Sequence, residues 1–232
     1  MPGHILLEGG AEFGGKMAAP DIRAIELAGG AEAQVGIIPA AAAPDRNDYR
    51  AGQTGLRWFR SLGARQVTLL ALTDRASADD ETVAGALSQC RLIYMLGGFP
   101  HYLAQTLAGS RSWQAMLTAY QAGAVVGGSS AGAMVLCEQY YNPESGKLEP
   151  GLNLVPATCL IPHHDTMGRR WAPLLATALP RAVLIGIDEQ TGMLSEGAPG
   201  LWSAYGKGQI TLYRNGAEEA QLPGEPFALD RF

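Results

Sequence analysis

The sequence predicts an α/β fold in which helices cover both faces of a mostly parallel central sheet, a three-layer sandwich. Three observations predict it. Short runs of Val, Ile and Leu recur without polar alternation, as in strands buried on both faces. Stretches with helical spacing of apolar residues separate these runs, the arrangement expected of parallel strands joined by helical crossovers. Near the end of the chain two apolar runs flank a Gly-containing turn, so a C-terminal β-hairpin is expected.

Taken in order, strands are expected at 4–7, 35–39, 67–72, 92–96, 124–127 and 183–187. Asp21–Ala28 carries Ile22, Ile25 and Ala28 on one helical stripe, and Thr54–Leu62 carries Leu56, Phe59 and Leu62. Ser77–Glu81 reads as a capped helix start ahead of Val83 and Leu87, and Trp113–Gln121 as a further amphipathic helix. The hairpin would pair Trp202–Tyr205 with Gln209–Arg214 across Gly206–Gly208. Asn142–Gly151, polar and rich in Glu, Pro and Gly, reads as a surface loop. No repeat or linker interrupts the pattern, so residues 1–232 read as one domain.

With 47% hydrophobic and 17% charged residues the chain has the composition of a folded protein. Seventeen Lys and Arg against 22 Asp and Glu leave a net charge of −5, so neither nucleic acid nor an anionic membrane is an expected partner. Cys90, Cys137 and Cys159 form no C-x-x-C pair and are odd in number, which favours a reducing compartment over a disulfide framework. The opening residues lack a signal-peptide pattern, and no run of 18 apolar residues occurs, so a cytoplasmic location is expected. A second copy of the chain is left open as a partner.

The segment richest in chemistry is 124–136. An apolar run ends in Gly-Gly-Ser-Ser-Ala-Gly, and Gly128-Ser129-Ser130-Ala131-Gly132 fits G-x-S-x-G with Ser130 at its centre. A nucleophile on a tight strand-to-helix turn needs glycines on both sides, because side chains there would meet neighbouring backbone. Centring the pattern on Ser129 would need Gly at 131, where Ala stands. A Gly-rich turn that only packs a helix against a strand is the alternative.

A serine needs a base. The histidines are His4, His101, His163 and His164. His4 lies in the first strand, whereas Pro162-His163-His164-Asp165 follows an apolar run and so falls at a strand end. Adjacent residues in extended backbone face opposite ways, so one of the two histidines at most would face Ser130. A metal site would need three or four converging ligands, which the sequence does not offer. No metal and no cofactor are therefore expected. A carboxylate to fix the imidazole could be Asp188 or Glu189 at the end of 183–187, with Glu138, Glu144 and Glu149 as rivals. Gly97-Gly98, ending the run at 92–96, and the N–H of Ala131 are candidates for an oxyanion hole. Arg169 and Arg170 could hold a substrate carboxylate.

The order strand–GG, strand–GGSSAGA, PHHD, IGIDEQT resembles the dipeptidase E and cyanophycinase family of serine peptidases, whose fold is like the class I glutamine amidotransferase domain. The resemblance runs from about Ile5 to Gly216 and is carried by Gly128–Ala133 and Ile185–Thr191. It implies Ser130 as nucleophile, His163 as base, Glu189 as acid, and backbone N–H groups of Gly98 and Ala131 as oxyanion donors. Two departures stand out. Phe99-Pro100 occupies the place of a polar residue and Gln that contact substrate in the family, which makes Phe99 a substrate-binding candidate beside Arg169 and Arg170. His164 replaces an aromatic residue, and of the several Arg that follow the catalytic His in cyanophycinases only Arg169-Arg170 remain. The implied activity is hydrolysis of short peptides through an acyl-enzyme, with acidic residues or a free carboxylate favoured. The alternatives are a non-catalytic peptide or small-molecule binder on the same fold, and an esterase using the same serine.

Overall fold

The computed structural model describes residues 2–229. In chain order its elements are β1 (His4–Glu8), α1 (Ala18–Leu27), β2 (Gln34–Ile38), α2 (Asp48–Ser61), β3 (Gln66–Leu69), α3 (Arg75–Ala78), α4 (Glu81–Gln89), β4 (Leu92–Met95), α5 (Pro100–Leu107), α6 (Arg111–Gln121), β5 (Val125–Ser129) and α7 (Ala131–Met134). There follow β6 (Cys137–Asn142), β7 (Lys147–Pro150), β8 (Val155–Ile161), α8 (Ala172–Ala178), β9 (Val183–Ile187), β10 (Thr191–Ser195), β11 (Leu201–Gly206), β12 (Ile210–Arg214), β13 (Ala217–Gln221) and β14 (Pro226–Ala228).

Eight strands form the first sheet, in the order β14-β11-β10-β1-β5-β4-β2-β3. The run β1-β5-β4-β2-β3 is parallel and β10, β11 and β14 add antiparallel. The parallel strands are the apolar runs, and all but the edge strand β3 are buried on both faces. On one face Leu6, Val35, Ile37 and Tyr94 pack with Phe59 and Ile25 from α2 and α1. On the other, Ile5, Leu7, Ile93 and Val126 pack with Leu103, Trp113 and Met134. The same cluster takes in Leu160, Ile185, Ile187 and Leu212 of a second sheet, ordered β13-β12-β9-β8-β6-β7.

That second sheet corrects two expectations. Trp202–Tyr205 and Gln209–Arg214 are both strands, but β11 joins the first sheet and β12 the second, so they do not pair with each other. The C-terminal hairpin is β12–β13, which turns at Asn215-Gly216. Gly206, at φ +107, lies against the Gln190 carbonyl, leaving no room for a side chain where the chain leaves one sheet for the other. Asn142–Gly151 is not a loop: its ends pair as β6–β7, from Gln139↔Pro150 to Asn142↔Lys147. The polar sequence suits an edge hairpin that is solvated.

Helix starts follow the capping chemistry, with one shift. Ser77 does not begin the helix containing Val83; Asp80 does, accepting from Thr82 and Val83 N–H at 2.8 and 3.0 Å. Ser77 instead completes a capping box with Asp74 at the start of α3. Among the described residues no helix is long and apolar enough to cross a membrane.

Candidate active site

β5 ends at Ser129, and α7 begins at Ala131. Ser130 between them has φ +48° and ψ −111°, a conformation that side-chain-bearing residues seldom adopt. Its N–H is tied to the Glu8 carbonyl at 3.0 Å, and its carbonyl accepts from Ala133 and Met134. A Cβ at Gly128 would lie 2.5 Å from the Met95 carbonyl oxygen, and one at Gly132 2.3 Å from it. These two glycines therefore let α7 close onto β4, which turns the serine side chain out at the strand ends.

The second sheet brings a histidine to the serine. β8 ends at Ile161, and His163 takes φ +48° in the turn that follows. Its backbone N–H donates to the Gly9 carbonyl at 2.8 Å, tying the turn to the end of β1. Nε2 of the ring is 3.1 Å from Ser130 Oγ, and Nδ1 is 3.0 Å from Glu189 Oε1. Gly10, at φ +136°, is the floor beneath the ring: a Cβ there would sit 2.1 Å from His163 Cε1. Glu189 is positioned from β9, with its own N–H donating to Asp165 Oδ1 at 2.8 Å. Thr166 donates to Glu189 Oε1 at 3.4 Å.

His164 turns the other way, but through a turn and not through extended backbone. It is buried, with Nδ1 3.3 Å from Asp188 Oδ1 and Nε2 2.8 Å from the Tyr213 hydroxyl. Burial holds its pKa below the ordinary histidine value, against the opposing pull of Asp188. Asp188 also accepts from Gln209 N–H at 3.0 Å. His4 is remote from this region, with Nδ1 2.7 Å from the Ser195 carbonyl. Of the rival carboxylates, Glu138 accepts from Ala157 N–H on β8.

Gly97-Gly98 ends β4 beside the serine; a Cβ on Gly97 would lie 3.4 Å from Ser130 Cβ. Phe99 N–H donates to the Ala41 carbonyl at 2.8 Å and Gly97 N–H to Glu12 Oε2 at 3.2 Å. Among the described residues neither Gly98 N–H nor Ala131 N–H has an acceptor in the protein. Gly98 itself, at φ +140°, presses against the Ala41 carbonyl so closely that no side chain fits.

Arg169 and Arg170 are placed otherwise than a carboxylate fork at Ser130 would need. Arg169 pairs with Glu218 of β13 at 2.5 Å, and the Arg170 guanidinium lies 5.8 Å from the centre of the Trp171 ring. Phe99 is half-buried at the start of α5.

Sequence reasoning missed the end of β1. Glu8-Gly9-Gly10-Ala11-Glu12 is a third strand that runs into Gly-Gly, like those at 97–98 and 127–128, and that repetition was the available signal. Beneath the serine turn it builds an acidic group. Glu8 accepts from the Tyr94 hydroxyl at 2.5 Å and Asp21 from Trp58 Nε1 at 2.7 Å. Both carboxyls are fully buried, and burial raises their pKa above the ordinary range; the neighbouring Asp21 charge raises Glu8 further. Burial also pushes Glu12 up to about 7, against the Ser129 hydroxyl and the Gly97 N–H, which hold it down. The Ser129 hydroxyl is buried close to Glu12. Three or more His, Cys, Asp or Glu side chains arranged to hold a metal do not occur among the described residues.

Comparison with known proteins places this geometry in context. The family model described as peptidase family S51 matches residues 5–199. The cyanophycinase of Synechococcus elongatus is 32% identical over 199 residues, covering 81% of this chain and 60% of that protein. The cyanophycinase of Geminocystis herdmanii is 28% identical, over 90% of this chain and 79% of its own. The chain thus spans about 60% of the length of the first of these relatives. A crystal structure of a peptidase from an acI-B1 Actinobacterium superposes with a TM-score of 0.86 at 27% identity, covering 98% of this chain and 97% of that one. A Listeria monocytogenes EGD-e protein assigned as a peptidase E shares the fold, with a TM-score of 0.66 at 18% identity over 89% of this chain and 100% of its own.

Proposed function

The chain belongs to peptidase family S51, within the dipeptidase E and cyanophycinase group of serine peptidases, and on that premise we propose that it hydrolyses short peptides through Ser130, His163 and Glu189. The observation that carries the reading is the unbroken contact chain from Ser130 Oγ to His163 Nε2 and from His163 Nδ1 to Glu189 Oε1, at 3.1 and 3.0 Å.

In the proposed reaction Ser130 Oγ attacks the scissile carbonyl while His163 Nε2 takes its proton. Glu189 holds the imidazole through Nδ1 and stabilises the imidazolium that forms. The negative charge on the substrate oxygen is met by Gly98 and Ala131 N–H, the two donors at the serine that lack a protein acceptor. His163 then passes its proton to the leaving amine. Water, activated by the same imidazole, releases the acyl group from Ser130.

A preference for acidic residues or a free carboxylate would need Arg169 or Arg170 to leave the positions they hold, since neither is set as a fork at Ser130. Such a substrate would have to exchange with Glu218 for the Arg169 guanidinium, and Phe99 would offer an apolar wall near the oxyanion turn. The test combines a fluorophosphonate probe with kcat/KM for acidic, neutral and amidated dipeptides and tripeptides. Labelling and peptide hydrolysis both lost in Ser130→Ala is the expected result, whereas an esterase would cleave matched esters and leave the peptides intact. A wild-type protein that neither labels nor hydrolyses any peptide would favour a binding module. Equal rates on acidic and neutral peptides in wild type and Arg169→Ala would remove the arginines from specificity.

A further inference from the structure

The turn that carries the oxyanion donor is pinned on both sides. Phe99 N–H is fixed by the Ala41 carbonyl, and Gly97 N–H by the Glu12 carboxyl, leaving the Gly98 N–H between them without a protein acceptor. Gly98 cannot shift towards Ala41, because its α-carbon already packs on that carbonyl. Ala41 is a backbone anchor and needs no particular side chain. Glu12 is the one side chain in the arrangement, and it reaches the turn from the far end of β1, a different strand from the one it holds. Gly97 lies against both Glu12 and Ser130: its Cβ position is 3.3 Å from Glu12 Oε2 and 3.4 Å from Ser130 Cβ.

We propose that Glu12 is a positioning residue for the oxyanion turn: by accepting from Gly97 N–H it fixes the peptide plane that aims Gly98 N–H at the reacting carbonyl. This rests on the reading of Ser130 as the nucleophile. Either protonation state of the carboxyl has an oxygen able to accept from Gly97, so the turn is held across the pH range. What changes is the charge. The groups around Glu12 are Glu8 on β1, Asp21 on α1, Tyr94 on β4 and Ser129 on β5, with no cation among them. Half-buried and close to these carboxyls, Glu12 titrates at about 7. Below that value it is neutral; above it, a negative charge stands next to the site where the substrate oxygen becomes negative. Rate therefore falls as pH rises through the Glu12 titration, opposite in sign to the gain from freeing the imidazole base.

Three variants test this with the full chain and a peptide that the wild type hydrolyses. Glu12→Ala removes the tether, and kcat should drop about 10- to 100-fold with KM within about threefold, part of the loss known for deleting an oxyanion donor outright. Glu12→Gln keeps an acceptor oxygen without the charge. It should recover kcat to within a few-fold of wild type and lack the falling limb in the pH profile. Thermal midpoints should be unchanged or raised in both, since each relieves a crowded set of carboxyls. Glu12→Gln as slow as Glu12→Ala, a loss confined to KM, or a falling limb that persists in Glu12→Gln would each overturn the proposal. Ser130→Ala separates the two readings: if it retains activity, the nucleophile assignment fails and this proposal with it. If it is dead, the Glu12 variants decide alone.

Discussion

At the scale of single residues the site separates two adjacent histidines into unlike environments. His163 touches the serine and a half-exposed carboxylate, whereas His164 is sealed between Asp188 and Tyr213. Ser130→Ala and His163→Ala should each lower kcat by several orders of magnitude, leaving a remainder about 10³–10⁴ over water from binding and the oxyanion donors. His164→Ala should act through stability: it deletes a buried ring on which Gly186 packs and leaves Asp188 with Gln209 N–H but without the imidazole, a change expected to cost about 2–4 kcal/mol in chemical denaturation. Steady-state kinetics alongside denaturation curves would check both, and an inactive but fully stable His164→Ala would reverse the two assignments.

At the scale of elements, three strand ends of the first sheet converge with one turn of the second. Gly10, Gly98 and Ser130 end or follow parallel neighbours β1, β4 and β5, so parallel registry alone brings them to one edge. That part was legible in the sequence, because buried parallel strands and their Gly-rich ends leave a local signature at 92–98 and 124–132. The partition of 201–221 between two sheets was not, since alternating apolar residues specify a strand but not the neighbour it chooses. Glu12 was equally hidden: an acidic residue after a Gly-Gly looks like solvent-facing loop until the tertiary approach of Gly97 is known. Gly10 offers the sharpest test of the convergence. Gly10→Ala would place a methyl group 2.1 Å from the His163 ring at a φ of +136°. Displacing the imidazole by about 1 Å should cost on the order of 10²-fold in kcat, with far-ultraviolet circular dichroism unchanged. Near-wild-type activity would mean the ring moves aside without penalty.

At the scale of the whole molecule, the acidic group beneath the serine turn gives stability an unusual pH dependence. Glu8, Asp21 and Glu12 are all raised on folding, so the folded state retains protons that the unfolded chain releases above about pH 4. Stability from these groups is complete below that point and is lost as pH rises towards about 7, where Asp21 and Glu12 titrate. Thermal midpoints should therefore decline from pH 5 to pH 8, and Asp21→Asn, which still accepts from Trp58, should flatten the decline and be the more stable protein at pH 8. A wild-type midpoint that climbs over this interval would contradict the assignment. The division of the site between two sheets has a different kind of consequence. Ser130, Gly98 and Ala131 belong to the first 131 residues, while His163 and Glu189 enter only after the chain has crossed to the second sheet. Ser130 precedes both His163 and Glu189 in the chain, so the proposed triad cannot form before the second sheet is in place. On the proposed reading, reactivity arrives only when the two sheets have docked.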